Sequence, residues 1–210
     1  MAYLGIDLGT SGLRLLLIDD TGAPLASAEA HYAVDHPHPG WSEQDPADWI
    51  AALETAISEL KSTTPRFADL SGIGVAGHMH GAVLLDKNAD VLRPCILWND
   101  TRSHAEAARL DQIPEFRALN GNIVFPGFTA PKLEWVRCHE PDVFDQMAKV
   151  LLPAAYLNHY LTGDFVCDCS DAAGTSWLDV KTRTWSDTLL GHGKVRIRQC
   201  RCRMWYGRHG

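Results

Sequence analysis

Near its start the chain carries a run of small residues suited to phosphate binding. The run Gly5-Ile6-Asp7-Leu8-Gly9-Thr10-Ser11-Gly12 joins two apolar, strand-like stretches, Tyr3 to Asp7 and Leu13 to Asp19. Small residues let backbone N–H groups and two hydroxyls approach a polyphosphate, and the Asp7 carboxylate can hold the accompanying Mg²⁺. No Lys follows the glycines, and a second strand rather than a helix comes next, which excludes a Walker loop. We predict a phosphate-binding hairpin; the alternative is an ordinary tight turn.

Two further polar groups follow predicted strands. Gly77-His78-Met79-His80-Gly81 comes after one, and Asn99-Asp100-Thr101-Arg102 comes after another. Loops at strand ends are where small ligands usually bind. His80 offers a ring donor or acceptor and Met79 an apolar wall, whereas the alternative for an isolated Met-His pair is a core Met and a hydrogen-bonded His. Asp100 either accepts ligand hydroxyls or pairs with Arg102, and both alternatives stay open.

The elements that position these groups alternate along the chain. Leu25 to Tyr32 predicts a third strand antiparallel to the second, and Asp45-Pro46 predicts the start of a helix whose apolar residues recur at helical spacing. Further elements are a short buried strand at 71–77, strands at 82–86, 93–98 and 150–152, and helices from residue 103, from residue 131 and at 154–161. This order predicts an α/β fold with a mixed sheet that begins as an antiparallel three-strand meander.

Composition narrows the class of protein. With 210 residues, 46% of them apolar, the chain can build a real core. Its longest apolar runs are far short of a membrane span, and Met1-Ala2-Tyr3 lacks the basic start and long apolar stretch of a signal peptide, so we expect a cytoplasmic protein with no membrane partner. The six cysteines occur singly or as C-x-C pairs, without the C-x₂-C spacing of zinc sites, which predicts reduced thiols.

The last twenty residues differ from the rest. Residues 1–190 hold 13 Lys+Arg and 26 Asp+Glu, a net charge of −13, whereas residues 191–210 hold six basic residues and no acid, a net charge of +6. This tail has no helical or alternating apolar pattern. We predict one incomplete domain over 1–190 and an atypical basic tail over 191–210 that is disordered or translated out of frame. A nucleic-acid-binding arm is the alternative, and we expect no nucleic-acid partner.

Six segments with characteristic motifs follow one another along the chain. They are Gly5 to Gly12, Trp41 to Pro46, Gly77 to Gly81, Trp98 to Arg102, Gly127 to Trp135 and Ser170 to Thr175. In this order they resemble the FGGY carbohydrate kinases, a family with the actin/hexokinase-like (ribonuclease H-like) ATPase fold. Among its members the resemblance is strongest to those that act on D-xylulose, because the glycerol-specific members carry Arg-Glu where this chain has Met79-His80.

The resemblance implies a reaction and its participants. It implies transfer of the γ-phosphoryl group of ATP to D-xylulose, giving D-xylulose 5-phosphate, with ATP and Mg²⁺ as cofactors and a homodimeric full-length enzyme. It implies that Asp7 lies near the metal and the transferred phosphate. The other residues that it places at the site are Gly9, Thr10, Ser11 and Gly12 facing the ATP phosphates, and Met79, His80 and Asp100 at the sugar. Asp171 is either a further sugar contact or a helix N-terminal residue.

The sequence also departs from the family pattern. His78 stands where these kinases usually carry Gln, which we expect to alter sugar affinity. The general-base Asp of a G-G-G-D motif and the adenine-binding second domain have no counterpart here, since the only Gly-Asp is Gly163-Asp164. We therefore expect a fragment without turnover. Two alternatives stay open: another FGGY kinase, acting on ribulose, gluconate or glycerol, and a non-catalytic sugar-binding module.

Overall fold

The chain folds into two compact units. The structure, a computed structural model, describes residues 1–200 and 202–205. The first unit comprises residues 1–34 and 45–78, and the second comprises residues 35–44 and those from 79 onward. The phosphate-binding hairpin predicted above belongs to the first unit, and Met79, His80 and Asp100 belong to the second.

The elements follow one another in an α/β order, as predicted. The strands are β1 (Ala2–Leu8), β2 (Gly12–Asp19), β3 (Pro24–His31), β4 (Glu43–Gln44), β5 (Leu70–Gly77), β6 (Val83–Leu85), β7 (Cys95–Ile96), β8 (Lys149–Leu151), β9 (Val166–Asp168), β10 (Leu178–Asp179), β11 (Thr184–Trp185) and β12 (Arg203–Trp205). The α-helices are α1 (Pro46–Thr63), α2 (His104–Asp111), α3 (Thr129–His139), α4 (Pro141–Gln146), α5 (Pro153–Thr162), α6 (Cys169–Ala173), α7 (Asp187–His192) and α8 (Ile197–Cys200). A 3₁₀ turn covers Pro65–Asp69, and a π-helical turn covers Phe116–Asn120.

A four-stranded mixed sheet forms the first unit. Its strand order is β3-β2-β1-β5, with β1, β2 and β3 antiparallel and β5 parallel to β1. The predicted meander and mixed sheet are therefore confirmed. The register places Asp7 opposite Arg14 on β2 and Ala76 on β5, at the end of β1 where the chain turns back.

One face of this sheet is covered by α1. Burial alternates along β1 and β2, as expected for strands with one packed face, and the apolar residues of α1 pack on β2 and β3. Asp45 caps the helix by accepting a hydrogen bond from the backbone N–H of Ala47, and Pro46 occupies its first turn, which confirms the predicted helix start. Asp7 lies on the other face and is exposed.

The strand β5 is exposed, although its run of small apolar residues predicts a buried strand. Most of its residues are partly or fully exposed, and Ile73 keeps 48% of its surface accessible. Within the described chain β5 pairs only with β1, so it is an edge strand of this sheet. The prediction of burial is wrong because composition does not reveal whether a strand has neighbours on both sides.

Short two-stranded sheets and helices build the second unit. The pairs are β4 with β7, β6 with β8, β9 with β12, and β10 with β11. Its core is formed by buried apolar residues of β6, β7, β8, α2, α3 and α7. The predicted elements near 82–86, 93–98, 103, 131, 150–152 and 154–161 are found. The helix α5 ends at Gly163, which adopts the left-handed conformation that Gly tolerates best (φ +75°).

The basic tail contains regular structure where the structure describes it. Over residues 191–200 and 202–205 the tail contains the end of α7, the turn α8 and the strand β12, whose backbone pairs in parallel with β9. For Arg201 and residues 206–210 the prediction of disorder lies outside the described residues, and the domain boundary at residue 190 stays a prediction. Within the described chain, every helix is too short or too polar to cross a membrane.

Candidate functional site

The predicted phosphate-binding hairpin is the turn between β1 and β2. The backbone N–H of Gly9 donates to the carbonyl oxygen of Gly12 at 2.9 Å, which closes the turn. A side chain on Gly12 has no room, because its Cβ would lie 2.9 Å from the carbonyl oxygen of Ala30 and 2.8 Å from Nδ1 of His31. The tight backbone and the exposed Ser11 therefore leave the turn open to an anion from outside.

Tyr32 ties this hairpin to the end of β3. Its phenolic O–H donates to the carbonyl oxygen of Gly9 at 2.6 Å, and its backbone N–H donates to the carbonyl oxygen of Ser11 at 3.4 Å. Burial, together with the negative charge of Asp7, raises the pKa of Tyr32, so the phenol keeps the proton that it donates. The sequence assigned Tyr32 only to a strand, and no local pattern marks its contact with a residue 23 positions earlier.

His80 occupies a strained turn. The backbone N–H of Gly81 donates to the carbonyl oxygen of Met79 at 2.8 Å, and the φ angle of His80 is +65°. This hydrogen bond between residues i and i+2 with a positive φ is typical of a classic γ-turn, which is rare. Such backbone strain costs about 1–3 kcal/mol and is often found at functional sites. Met79, before the turn, exposes 48% of its surface.

The imidazole of His80 lies among apolar groups. It contacts Phe128 edge to face, with 4.7 Å between ring centroids, and it approaches Gly174 so closely that a Cβ there would lie 2.3 Å from two ring atoms. Burial lowers the pKa of His80 to about 4; the charge of Lys132 adds to this effect and a hydrogen bond with the backbone of Gly174 opposes it. His80 is therefore neutral at pH 7, with one ring donor and one ring acceptor.

The carbonyl group of His80 accepts two hydrogen bonds from α3. Thr129 Oγ1 donates at 3.1 Å and Lys132 Nζ at 2.9 Å, and the same Nζ donates at 2.7 Å to the carbonyl oxygen of Gly127. Lys132 is fully buried, and burial lowers its pKa to about 7. Sequence reasoning gave Lys132 no role. The available signal is a lysine inside the Gly127 to Trp135 segment, which is otherwise mostly apolar.

The carboxylate of Asp100 forms an ion pair with Arg102. Its Oδ1 accepts from the backbone N–H and Nε of Arg102, both at 2.9 Å, and its Oδ2 accepts from Arg102 Nη2 at 2.7 Å and from the backbone N–H of Ser42 at 2.6 Å. Only 1% of the residue surface is exposed. Of the two alternatives left open above, this geometry favours the ion pair, and direct contact with a sugar stays a prediction.

Arg102 extends this ion pair into a buried network. Its Nη1 lies 2.7 Å from Oε1 of Glu43, which also pairs with Arg93. The guanidinium carbon lies 3.6 Å from the ring centroid of Trp41 and 5.0 Å from the ring centroid of Trp135. Buried charges are tolerated when they are paired in this way. Three of the motif segments thus contribute to this network: Trp41 to Pro46, Trp98 to Arg102 and Gly127 to Trp135.

Two other predicted positions have different surroundings. His78 belongs to the first unit, where it is buried and contacts Trp49 edge to face at 5.2 Å; its predicted effect on sugar affinity stays a prediction. Asp171 lies in the first turn of α6, and its backbone N–H donates to Asp168 Oδ1 at 2.9 Å. Burial, followed by the charge of Asp168, raises the pKa of Asp171 to about 7.

The described chain offers neither a clustered metal site nor a disulfide. Among the residues that the structure describes, no group of three or more His, Cys, Asp or Glu side chains is arranged to hold a metal ion. All six cysteines are free in the structure. Asp7 is therefore a single exposed carboxylate, a type of ligand that suits a hydrated Mg²⁺ held mainly by water and phosphate oxygens.

The chain is similar to known proteins over most of its length. The FGGY family of carbohydrate kinases, N-terminal domain, matches residues 2–196. Xylulose kinase from Escherichia coli (strain K12) is 50% identical over 189 residues, which cover 90% of this chain and 39% of that protein. The chain belongs to the FGGY family of carbohydrate kinases, and its fold is of the actin/hexokinase type.

Solved structures show the same likeness. A xyloylose kinase from Brucella ovis matches with a TM-score of 0.97 at 55% identity, covering 99% of this chain and 44% of that one. A gluconate kinase from Lactobacillus acidophilus matches with a TM-score of 0.91 at 26% identity, covering 97% of this chain and 42% of that one. The chain thus spans about two fifths of the length of the relatives that it matches.

We predict that Asp100→Ala destabilises the fold strongly. Removing the carboxylate leaves Arg102 buried without its main partner, which typically costs about 3–5 kcal/mol. Urea denaturation followed by circular dichroism measures the free energy of unfolding. Asp7→Asn is the matched control, because Asp7 is exposed and its replacement should change stability by no more than about 0.5 kcal/mol. Equal small effects of both variants would contradict the structural assignment of Asp100.

We predict that Asp171→Asn stabilises the fold in a pH-dependent way. Because the pKa of Asp171 is raised to about 7 in the folded chain, that carboxyl stays protonated where the unfolded chain has already lost the proton. Wild-type stability then falls, relative to the variant, as pH rises from about 4 to 7, and the difference levels off above pH 7. Urea denaturation of both proteins from pH 4.5 to 8.5 checks this. A difference that does not change with pH would refute it.

Proposed function

We propose that this chain provides the sugar-binding and phosphate-binding parts of a kinase that transfers the γ-phosphoryl group of ATP to D-xylulose, giving D-xylulose 5-phosphate. The observation that carries the proposal is the neutral imidazole of His80, held in a strained turn beside the exposed Met79. The similarity to xylulose kinase from Escherichia coli, at 50% identity, supports the choice of sugar.

The second unit supplies groups suited to a sugar. A neutral imidazole can donate to one hydroxyl oxygen or accept from one hydroxyl hydrogen, without the charge that would favour an anionic ligand. Met79 and the aromatic rings near His80 offer apolar surface to the C–H face of a sugar. Asp100 supports this region by fixing Arg102 and the backbone of Ser42, whether or not it also contacts the sugar.

The first unit supplies groups suited to phosphates and Mg²⁺. Gly9 and Gly12 keep the hairpin free of bulky side chains, and Thr10 and Ser11 place hydroxyls in the same turn. Asp7 would hold the metal through its exposed carboxylate. When bound, Mg²⁺ neutralises charge on the transferred phosphoryl group. The contribution of this chain is to present backbone donors and one carboxylate in a fixed hairpin, which Tyr32 secures.

Two alternative functions remain compatible with the sequence and the fold: a kinase for another sugar, and a sugar-binding module without catalytic activity. The likeness to a gluconate kinase, at 26% identity, is compatible with another FGGY specificity. The lack of a G-G-G-D motif in these 210 residues is compatible with a non-catalytic sugar-binding module. Calorimetric titration with D-xylulose, D-ribulose, gluconate and glycerol separates the sugar specificities, since each predicts a different tightest ligand.

We predict that His80→Ala weakens D-xylulose binding severalfold or more. A net hydrogen bond from a neutral group contributes about 0.5–1.5 kcal/mol, and an unpaired partner left behind adds to the loss. Isothermal titration calorimetry measures the dissociation constant. His104→Ala is the matched control, because His104 is exposed at the start of α2 and should leave affinity unchanged. Identical affinity in the wild type and His80→Ala would exclude His80 from the site.

We predict that the 210-residue chain does not turn over D-xylulose, even with saturating Mg·ATP. General-base catalysis is typically worth about 10²–10⁴-fold, and the only Gly-Asp in the sequence, Gly163-Asp164, lies in the turn that ends α5. A coupled assay of ADP release measures turnover, and the same reaction without D-xylulose is the blank. Robust ADP release that depends on D-xylulose would show that a carboxylate of this chain acts as the base.

A further inference from the structure

Within the described residues, the buried amino group of Lys132 is hydrogen-bonded to backbone groups and forms no ion pair with a carboxylate. No salt bridge to Lys132 exists among the described residues, although the residue is completely buried. Its Nζ is bonded instead to two backbone carbonyl oxygens, those of His80 and Gly127. A buried cation is costly unless its hydrogen bonds do something that an apolar side chain cannot. This placement therefore calls for a role at the two carbonyl groups.

The carbonyl group of His80 belongs to the strained turn. A classic γ-turn is seldom adopted by a residue other than Gly unless surrounding contacts enforce it. Here two donors from consecutive turns of α3, Thr129 Oγ1 and Lys132 Nζ, converge on the oxygen of His80. On the other side, the absence of a side chain at Gly174 leaves room for the ring. Contacts from α3 thus hold the backbone of His80, and the space beside Gly174 accommodates its ring.

We infer that Lys132 and Thr129 are positioning residues for His80: by holding its carbonyl group, they fix the strained turn that aims the imidazole at the sugar. Only the identity of the ligand rests on the proposed function. Lys132 affects the ligand through the position of His80 and does not contact the ligand itself.

A double-mutant cycle distinguishes this role from general support of the fold. Lys132→Met keeps the length of the side chain and removes the donor, and Thr129→Val does the same for the hydroxyl. We expect each to weaken D-xylulose binding by roughly 3- to 10-fold in calorimetry. In a His80→Ala background each should change affinity by less than about 2-fold, because the ring that they position is gone. Lys149→Met, at a lysine that packs over Phe165, should change affinity in neither background.

Nuclear magnetic resonance gives a readout that does not require a sugar. The ring resonance of His80, assigned by its loss in His80→Gln, reports the orientation and titration of the imidazole. The charged group acting on this ring is Lys132, which itself faces Cys95, Asp100 and Arg102. We expect Lys132→Met to shift the resonance and raise the pKa of His80 from about 4 towards its ordinary value. Thr129→Val should shift the resonance without removing a charge.

The outcomes separate the inference from the proposed function. Loss of affinity in the wild-type background but not in His80→Ala supports the inference. Equal loss in both backgrounds, or no loss, overturns it. If D-xylulose does not bind the wild type, the proposed function fails and the resonance decides: an unchanged His80 signal in Lys132→Met overturns the inference. If Lys132→Met does not fold, the same two measurements on Thr129→Val decide it.

Discussion

The pairing of buried charge around Arg102 is the constraint on which the second unit depends. Its guanidinium is taken from water, so it must find acceptors, and Asp100 and Glu43 supply them from different parts of the chain. Trp41 and Trp135 contact the same group. Because the planar, forked donor set of arginine admits few arrangements of its partners, this cluster fixes the relative positions of the loop before β4, the loop after β7 and α3. The helix α3 carries Thr129 and Lys132, which donate to the carbonyl oxygen of His80, so the turn at His80 is attached to the same scaffold.

Much of the fold could be predicted from local sequence, and what could not be predicted has a physical reason. Alternating apolar residues and turn residues predict β1 to β3, and Asp45-Pro46 predicts the start of α1, because these signals act over a few residues. The exposure of β5 could not be predicted in the same way. Whether a strand has one neighbour or two depends on sheet order, which is decided by contacts between segments far apart in sequence. The same reason explains why the division into two units was not foreseen.

For the candidate site, residue types predict which side chains could bind a ligand, but tertiary packing determines which partners they have. Gly9, Ser11 and His80 could be proposed as site residues because small residues in a turn suit a phosphate and an imidazole at a strand end suits a sugar, and these roles stay predictions. Asp100 has the same chemistry whether it meets a ligand or Arg102, so the sequence left two alternatives that only burial separates. Lys132 was passed over because lysine is expected in solvent, and its hydrogen bonds go to backbone atoms that carry no sequence signature.

The bond from Tyr32 to Gly9 has a thermodynamic consequence for ligand binding. A turn rich in small residues has many accessible conformations, and ordering it when an anion arrives would offset much of the binding free energy. Because the phenol and the backbone of Tyr32 hold the turn from β3, that conformational entropy is already lost when the sheet folds. An anion bound at this turn would meet a backbone whose conformation is already fixed, and its binding would cost little loop entropy.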